Sequence, residues 1–319
     1  MGLQSKFRTF DEAIKLKRFD ENAELREKRD RVLTRLRDGL ARAQRPTFEP
    51  FNQGSYDMGT GVKPVAGDFD IDVGLVFNID KAQYPDPVKV KEWVFTAVNG
   101  HTQKPVGFRR PCITVFYSQG GEPLYHVDLA VYAKDMRGGL HLATGKQNSS
   151  ADQRKWVQSS PRDLTDLISK KHSGDDADQF RRVIRYLKRW KDFGFSVEGN
   201  AAPRGIALTA CAYLWFTPGK KTVWDVWNNK VEYDDLSATH QVVSSMISAF
   251  SWSGRLSVQL PLPPGNDLFA RMSDQQMVEF KQRLVSLRDA LSAAASLASS
   301  NEPEACRRLA RVFGPDFPA

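Results

Sequence analysis

Cysteine is scarce. Three thiols, Cys112, Cys211 and Cys306, are spread over 319 residues in apolar surroundings. They are too scattered for a disulfide framework, and neither they nor the five histidines have the spacing of a zinc site. The expectation is three reduced core thiols in a cytoplasmic protein. Long apolar runs are missing as well: no stretch of about 18 apolar residues occurs, so no membrane-spanning helix is expected. The opening residues Met1-Gly2-Leu3-Gln4-Ser5-Lys6 lack the apolar centre of a signal peptide, and Lys6 breaks a myristoylation motif. Acidic residues are outnumbered, 38 against 46 basic, for a net charge of +8. That balance suits either a solvated basic surface or a site for polyanions, whether nucleotides or nucleic acid.

What is present is strong periodicity. From 7 to 43, Phe7, Phe10, Ile14, Val32, Leu36 and Leu40 fall at helical steps, and Thr9 with Glu12 has the form of a capping box. One or two long amphipathic helices are expected there. Residues 44–58, with Pro46 and Pro50, read as a loop. Runs rich in Val, Ile, Phe and Tyr predict strands over 69–79, 111–118 and 124–133, with QGGEP at 119–123 as a hairpin turn. A helix is expected over 87–99, and 138–150 reads as turns around one short strand. Beyond about residue 160 the pattern becomes helical, beginning with Ser160 as N-cap and Pro161 in the first turn. The Pro-rich segment 256–267 reads as an extended crossing between helices. The expected architecture is therefore α/β followed by all-α: a mixed-sheet lobe over 1–158 that includes the N-terminal helix, and a helical lobe over 159–319.

The segment GDFDIDVGLVF carries the chemistry. Asp68, Asp70 and Asp72 alternate with Phe69, Ile71 and Val73, so on a strand the carboxylates share one face and the apolar residues the other. Like charges so close require a positive partner, and the strand holds no Lys or Arg. A divalent metal is the obvious candidate, because carboxylate oxygens suit magnesium; a wet edge strand led by a turn aspartate is the plain alternative. A second β-patterned run, HVDLAVY, has Asp128 at its centre. If the two strands pair, Asp70, Asp72 and Asp128 can hold two metals about 3.5–4 Å apart, an arrangement used in phosphoryl transfer. Upstream, Gly54 lets backbone approach a phosphate and Ser55 adds a hydroxyl donor.

A Gly-Ser pair, then D-x-D on a strand, then a third Asp on a later strand resembles the polymerase-β-like nucleotidyltransferases. Together with SPRDL and FRRVIRYLKRWKD, the chain is similar to the bacterial cyclic-oligonucleotide synthases of anti-phage defence, the CD-NTases, relatives of animal cyclic GMP-AMP synthase and oligoadenylate synthetase. The motifs span about residues 45–215. The resemblance implies a nucleotidyltransferase core joined to a helical lobe. It implies Asp70, Asp72 and Asp128 as ligands of Mg2+, with Mn2+ as a substitute, and Asp128 also as acceptor of the ribose hydroxyl proton. Gln53, Gly54 and Ser55 would hold the donor triphosphate, and Asp68 falls outside the motif. In FRRVIRYLKRWKD the apolar stripe is Phe180, Val183, Ile184, Leu187 and Trp190, which leaves Arg181, Arg182, Arg185, Lys188, Arg189 and Lys191 as a solvated basic face. The resemblance nevertheless implies that Lys188 reaches the triphosphate. The family's Pro-Ser context on the next helix is replaced by Pro203-Arg204-Gly205, which leaves Thr209 as a substitute hydroxyl.

The activity so implied is the joining of nucleoside triphosphates into a cyclic di- or trinucleotide messenger, with release of pyrophosphate. A linear oligoadenylate synthase or an RNA nucleotide-adding enzyme of the same superfamily is the alternative, and a silent basic scaffold is a third reading that the clustered carboxylates oppose. The family further implies a regulatory protein from a neighbouring gene and a separate effector that responds to the product. With no Cys/His cluster and no separate basic tail, activation by duplex DNA is not expected.

Overall fold

The computed structural model describes residues 2–16, 23–65, 69–119, 122–196, 201–224, 229–263 and 265–318. Asp68 and the hairpin residues 120–121 lie outside them. Among the described residues no helix is long and apolar enough to cross a membrane.

Alternation of apolar residues builds the sheet. Strand β2 (Phe69–Asp80) and strand β5 (Glu122–Lys134) run parallel at its centre. β1 (Phe48–Asn52) pairs antiparallel with β2, and β4 (Ile113–Gln119) antiparallel with β5, with β3 (Gly107–Phe108) at the far edge. The order is β1-β2-β5-β4-β3. The last residues of β5 also pair with β6 (Leu140–Thr144), which continues to β7 (Lys155–Gln158). Ile71, Val73, Leu75 and Phe77 of β2 are buried with Val127, Leu129 and Val131 of β5. Two helices cover that side: α2 (Ala23–Arg42) through Leu33, Leu36 and Leu40, and α4 (Pro87–Val98) through Val90 and Val94. The remaining element of this region, α3 (Gly54–Asp57), is a single turn leaving β1.

The second lobe contains α5 (Pro161–Ser169), α6 (Gly174–Gly194), α7 (Gly205–Trp215), α8 (Asp235–Ser248), α9 (Asp274–Leu297) and α10 (Glu302–Phe313). Ser160 precedes α5 as expected, though its side chain makes no capping hydrogen bond. The N-terminal segment differs from its expectation. Helix α1 (Leu3–Ile14) begins at Leu3, so Thr9 and Glu12 lie inside it and form no capping box. Phe7 and Phe10 pack on Tyr186, Phe313 and Phe317 with ring centroids 5.0–6.2 Å apart. Thus α1 joins the helical core while α2 joins the sheet core. The expected loop over 44–58 contains β1 and α3, because Phe48 and Phe51 reach partners on β2 that composition does not reveal. The helical lobe also holds a hairpin, β8 (Lys220–Trp224) and β9 (Asn229–Tyr233), whose Lys-rich alternation carries too little apolar signal to stand out.

Candidate active site

The β2–β5 register sets Asp70 opposite His126 and Asp72 opposite Asp128. Residues paired across parallel strands share a face, so these four form a two-by-two polar patch on the side of the sheet away from α2 and α4. Next door on β4, the buried Thr114 hydroxyl donates to Asp128 Oδ1 at 2.6 Å. His126 Nε2 lies 3.2 Å from Asp70 Oδ1. One ligand atom each from Asp70, His126 and Asp128 fall within 4.8 Å of one another. Burial, then the charges of Asp70 and Asp128, push the Asp72 carboxyl well above the usual carboxylate range. Burial and then Asp70 likewise raise Asp128, against the hydrogen bond from Thr114. His126 is the residue that motif reasoning overlooked. Its signal was present: the alternation that turns Asp128 toward the site turns His126, two residues earlier, the same way.

The Gly-Ser turn is stitched to this patch. Gln53 N–H donates to the Asp72 carbonyl at 3.3 Å, and the Tyr132 hydroxyl donates to Gln53 Oε1 at 2.9 Å. Gly54 has φ +76°, in the left-handed region, and its α-carbon faces the Asp72 carboxylate. A cleft of about 560 Å³ opens beside it, and its walls include Gly54, Ser55, Asp70, Asp72, Lys188 and Thr209. A second cleft, of about 400 Å³, is lined by Gln53, Tyr132, Ser159 and Arg204 and shares Gly54 and Asp72 with the first. A larger hollow of about 870 Å³ lies between α2 and α4, away from the carboxylates.

Helix α6 supplies the cation and corrects the expected basic face. Arg182, Arg185, Lys188 and Arg189 are all buried. The helix crosses the middle of its lobe, so side chains off the apolar stripe meet protein instead of water. Arg182 is bidentate on Asp235 (2.6 and 2.9 Å), and Arg185 is bidentate on Asp11 of α1 (2.7 and 2.8 Å). Lys188 Nζ donates to the Thr60 carbonyl at 3.0 Å and to Thr60 Oγ1 at 3.1 Å. Burial, then the neighbouring Lys191 charge, draw its pKa down to about 7. Thr209 also lines the cleft, but its hydroxyl proton is directed at the Gly205 carbonyl at 3.1 Å. A hydroxyl rotates to suit its partners, so Thr209 stays the candidate substitute hydroxyl on this wall of the cleft.

Neighbouring parallel strands carrying D-x-D and a third Asp, a glycine turn against them and a buried lysine across the cleft define a nucleotidyltransferase. Residues 47–132 match the family model of the cyclic GMP-AMP synthase DncV-like nucleotidyltransferase domain, a match that supports a CD-NTase assignment. The whole chain superposes on the crystal structure of Vibrio cholerae DncV, a cyclic AMP-GMP synthase and prokaryotic cGAS homologue, with TM-score 0.75 and 16% identity, covering 100% of this chain and 98% of that one. The same enzyme with the linear intermediate 5′ pppA(3′,5′)pG gives TM-score 0.74 and 16% identity over 100% and 97% of the two chains. Its GTP-bound form gives 0.64 and 19% over 86% and 69%. At such identities the likeness is one of fold, a polymerase-β-like core with a helical lobe. Nucleotidyltransferases of this kind use divalent metal ions. The donors here fit one: ligand atoms of Asp70, His126 and Asp128 lie within 4.8 Å of one another, Asp72 stands beside them on the same sheet face, and burial with the neighbouring carboxylate charges raises Asp72 and Asp128.

Proposed function

We propose that this enzyme joins nucleoside triphosphates, ATP with GTP or another, into a cyclic di- or trinucleotide that serves as a second messenger in anti-phage signalling. The observation that carries the reading is the pair of clefts that share Gly54 and Asp72 in their walls. They offer one place for a donor triphosphate and another for an acceptor nucleotide. The donor lies along Gln53, Gly54 and Ser55, with Lys188 on its triphosphate. The acceptor lies toward Tyr132, and its ribose hydroxyl attacks the donor α-phosphorus. A P–O bond forms to the ribose oxygen, the bond to pyrophosphate breaks, and the hydroxyl proton passes to Asp128. Thr114 holds Asp128 Oδ1, and the raised pKa makes Asp128 a stronger base than an exposed aspartate. The linear product still has a triphosphate at one end and a free hydroxyl at the other, so the same chemistry closes the ring and releases a second pyrophosphate.

Asp70, Asp72 and Asp128 would hold Mg2+ or Mn2+, whose positive charge offsets the charge that develops on the phosphoryl oxygens. His126, beside Asp70, holds one oxygen of that carboxylate in place. Action in the cytoplasm, and control by a regulatory protein encoded nearby with a separate effector for the product, belong to the same proposal. The test is thin-layer separation of products from labelled ATP and GTP, with and without phosphatase. A product whose mobility is unchanged by phosphatase has no terminal phosphate and is cyclic, whereas a linear product loses its terminal phosphates and shifts. A ladder of phosphatase-sensitive products would instead identify a linear oligonucleotide synthase or a nucleotide-adding enzyme.

A further inference from the structure

Lys188 comes from the helical lobe, yet both hydrogen bonds that it makes among the described residues go to one residue beside the Gly-Ser turn. Thr60 receives them through its carbonyl at 3.0 Å and its hydroxyl oxygen at 3.1 Å. Thr60 is fully buried and Lys188 is 5% exposed. Thr60 in turn binds the carbonyl of Ser55 twice, with its N–H at 2.9 Å and its hydroxyl proton at 3.4 Å. The hydroxyl therefore works in both directions: it accepts from the lysine and donates to the turn. One helical turn earlier on α6, Arg185 Nη1 donates to the Gly59 carbonyl at 2.6 Å while its other nitrogens grip Asp11. Successive carbonyls, 59 and 60, are thus held by successive cations of one helix.

An ammonium group has three N–H donors. Two are directed at Thr60, and the geometry of those two determines where the third points. The lysine lines the cleft together with Gly54, Ser55, Asp70 and Asp72. A lysine side chain has four rotatable carbons and considerable rotamer freedom to lose on binding an anion. A partner that fixes it beforehand removes that loss from the binding step. Given Lys188 as the triphosphate contact proposed above, we propose that Thr60 is a positioning residue: its hydroxyl and carbonyl fix the Lys188 ammonium so that one N–H remains for the donor triphosphate, and tie that ammonium to Ser55.

The experiment compares binding of a non-reactive ATP analogue with binding of AMP, which lacks the β- and γ-phosphates, in Thr60→Val, Thr60→Ala, Thr60→Ser and Lys188→Ala. Thr60→Val keeps the shape and loses the acceptor, Thr60→Ala loses it without overfilling the site, and Thr60→Ser retains it. Loss of one charge-assisted contact predicts about tenfold weaker binding of the ATP analogue for the Val and Ala variants. AMP binding is expected to stay within about twofold, Thr60→Ser to behave as wild type, and Thr60→Val to add nothing in the Lys188→Ala background. Unchanged ATP-analogue binding in a folded Val or Ala variant would overturn the inference. So would equal weakening for ATP analogue and AMP, or failure of Thr60→Ser to restore binding, since a merely structural hydroxyl would behave in those ways. If Lys188→Ala weakens the ATP analogue and the Thr60 variants do not, only the role of Thr60 falls. If Lys188→Ala itself leaves binding unchanged, the assignment of Lys188 to the triphosphate falls first.

Discussion

A β-carbon placed on Gly54 would lie 2.1 Å from Oδ2 of Asp72. The glycine of the Gly-Ser turn is therefore required by β2 itself, independently of any ligand. Its φ of +76° adds a second barrier, since side-chain-bearing residues adopt that region at a penalty. Gly54→Val is expected to displace either the turn or the Asp72 carboxylate and to leave almost no activity. Ser55→Ala removes one hydroxyl and leaves the turn intact, so activity should be impaired but measurable. Steady-state rates with circular dichroism on both variants check this. A working Gly54→Val beside a dead Ser55→Ala would remove the basis for placing phosphate along this turn.

The carboxylate patch makes a prediction with opposite signs for activity and stability. Asp72 is raised by burial and by its two charged neighbours, so the folded state holds its proton more tightly than the unfolded chain. The stabilisation from that proton is fully present below the ordinary carboxylate pKa and is lost as pH rises through the raised one. At neutral pH and without metal, the charged cluster is thus a net destabilising feature. Asp70→Asn with Asp72→Asn should abolish product formation, while the metal-free melting temperature at neutral pH holds or rises. A double variant that still forms product would place the chemistry elsewhere.

Divalent cations should be needed for chemistry and not for folding. The sheet core beneath the patch is apolar and complete without them: Ile71, Val73, Val127 and Leu129 are buried against one another and against α4. A chelator is expected to stop turnover and leave the circular dichroism spectrum and cooperative melting intact, with activity restored by Mg2+ or Mn2+. Unfolding on chelation would assign the metal a structural role.

Lys188 should register in both kinetics and the pH dependence of stability. A charge-assisted bond to phosphate is worth roughly 1.5–3 kcal/mol, so Lys188→Met is expected to lower kcat/KM for ATP by about ten- to a hundredfold. The buried amine has a folded pKa near 7 against an ordinary value of 10.5. Between those values the unfolded chain holds a proton that the folded Lys188 does not, so this group makes wild-type stability rise as pH increases from 7 to 10.5. Lys188→Met lacks the effect, and wild type should gain relative to it across that window. Denaturant midpoints of both proteins at the two ends of the range provide the measurement. A constant difference would mean that Lys188 remains protonated in the folded protein.

Much of this molecule follows from its sequence alone. Period-two alternation in FDIDVGLVF and HVDLAVY fixes which side chains share a sheet face, because successive residues on any strand point to opposite sides. That local rule separates Asp70 and Asp72 from Ile71 and Val73 whatever the rest of the chain does, and the helical stripe of α6 follows from a rule just as local. Partners distant in sequence are another matter. The parallel register that seats His126 beside Asp70 and Asp128 beside Asp72 was decided by how two strands separated by a crossover came to pair. The division of the N-terminal segment, with α1 on the helical core and α2 on the sheet, depended on which surfaces remained open to them. The charges of α6 show the same limit. Arg185, Lys188 and Arg189 lie off the apolar stripe and look solvated in sequence, but Asp11, Thr60 and Asp316 meet them from remote segments. Periodicity determines the face on which a residue lies; only tertiary packing determines whether that face meets water or another part of the chain.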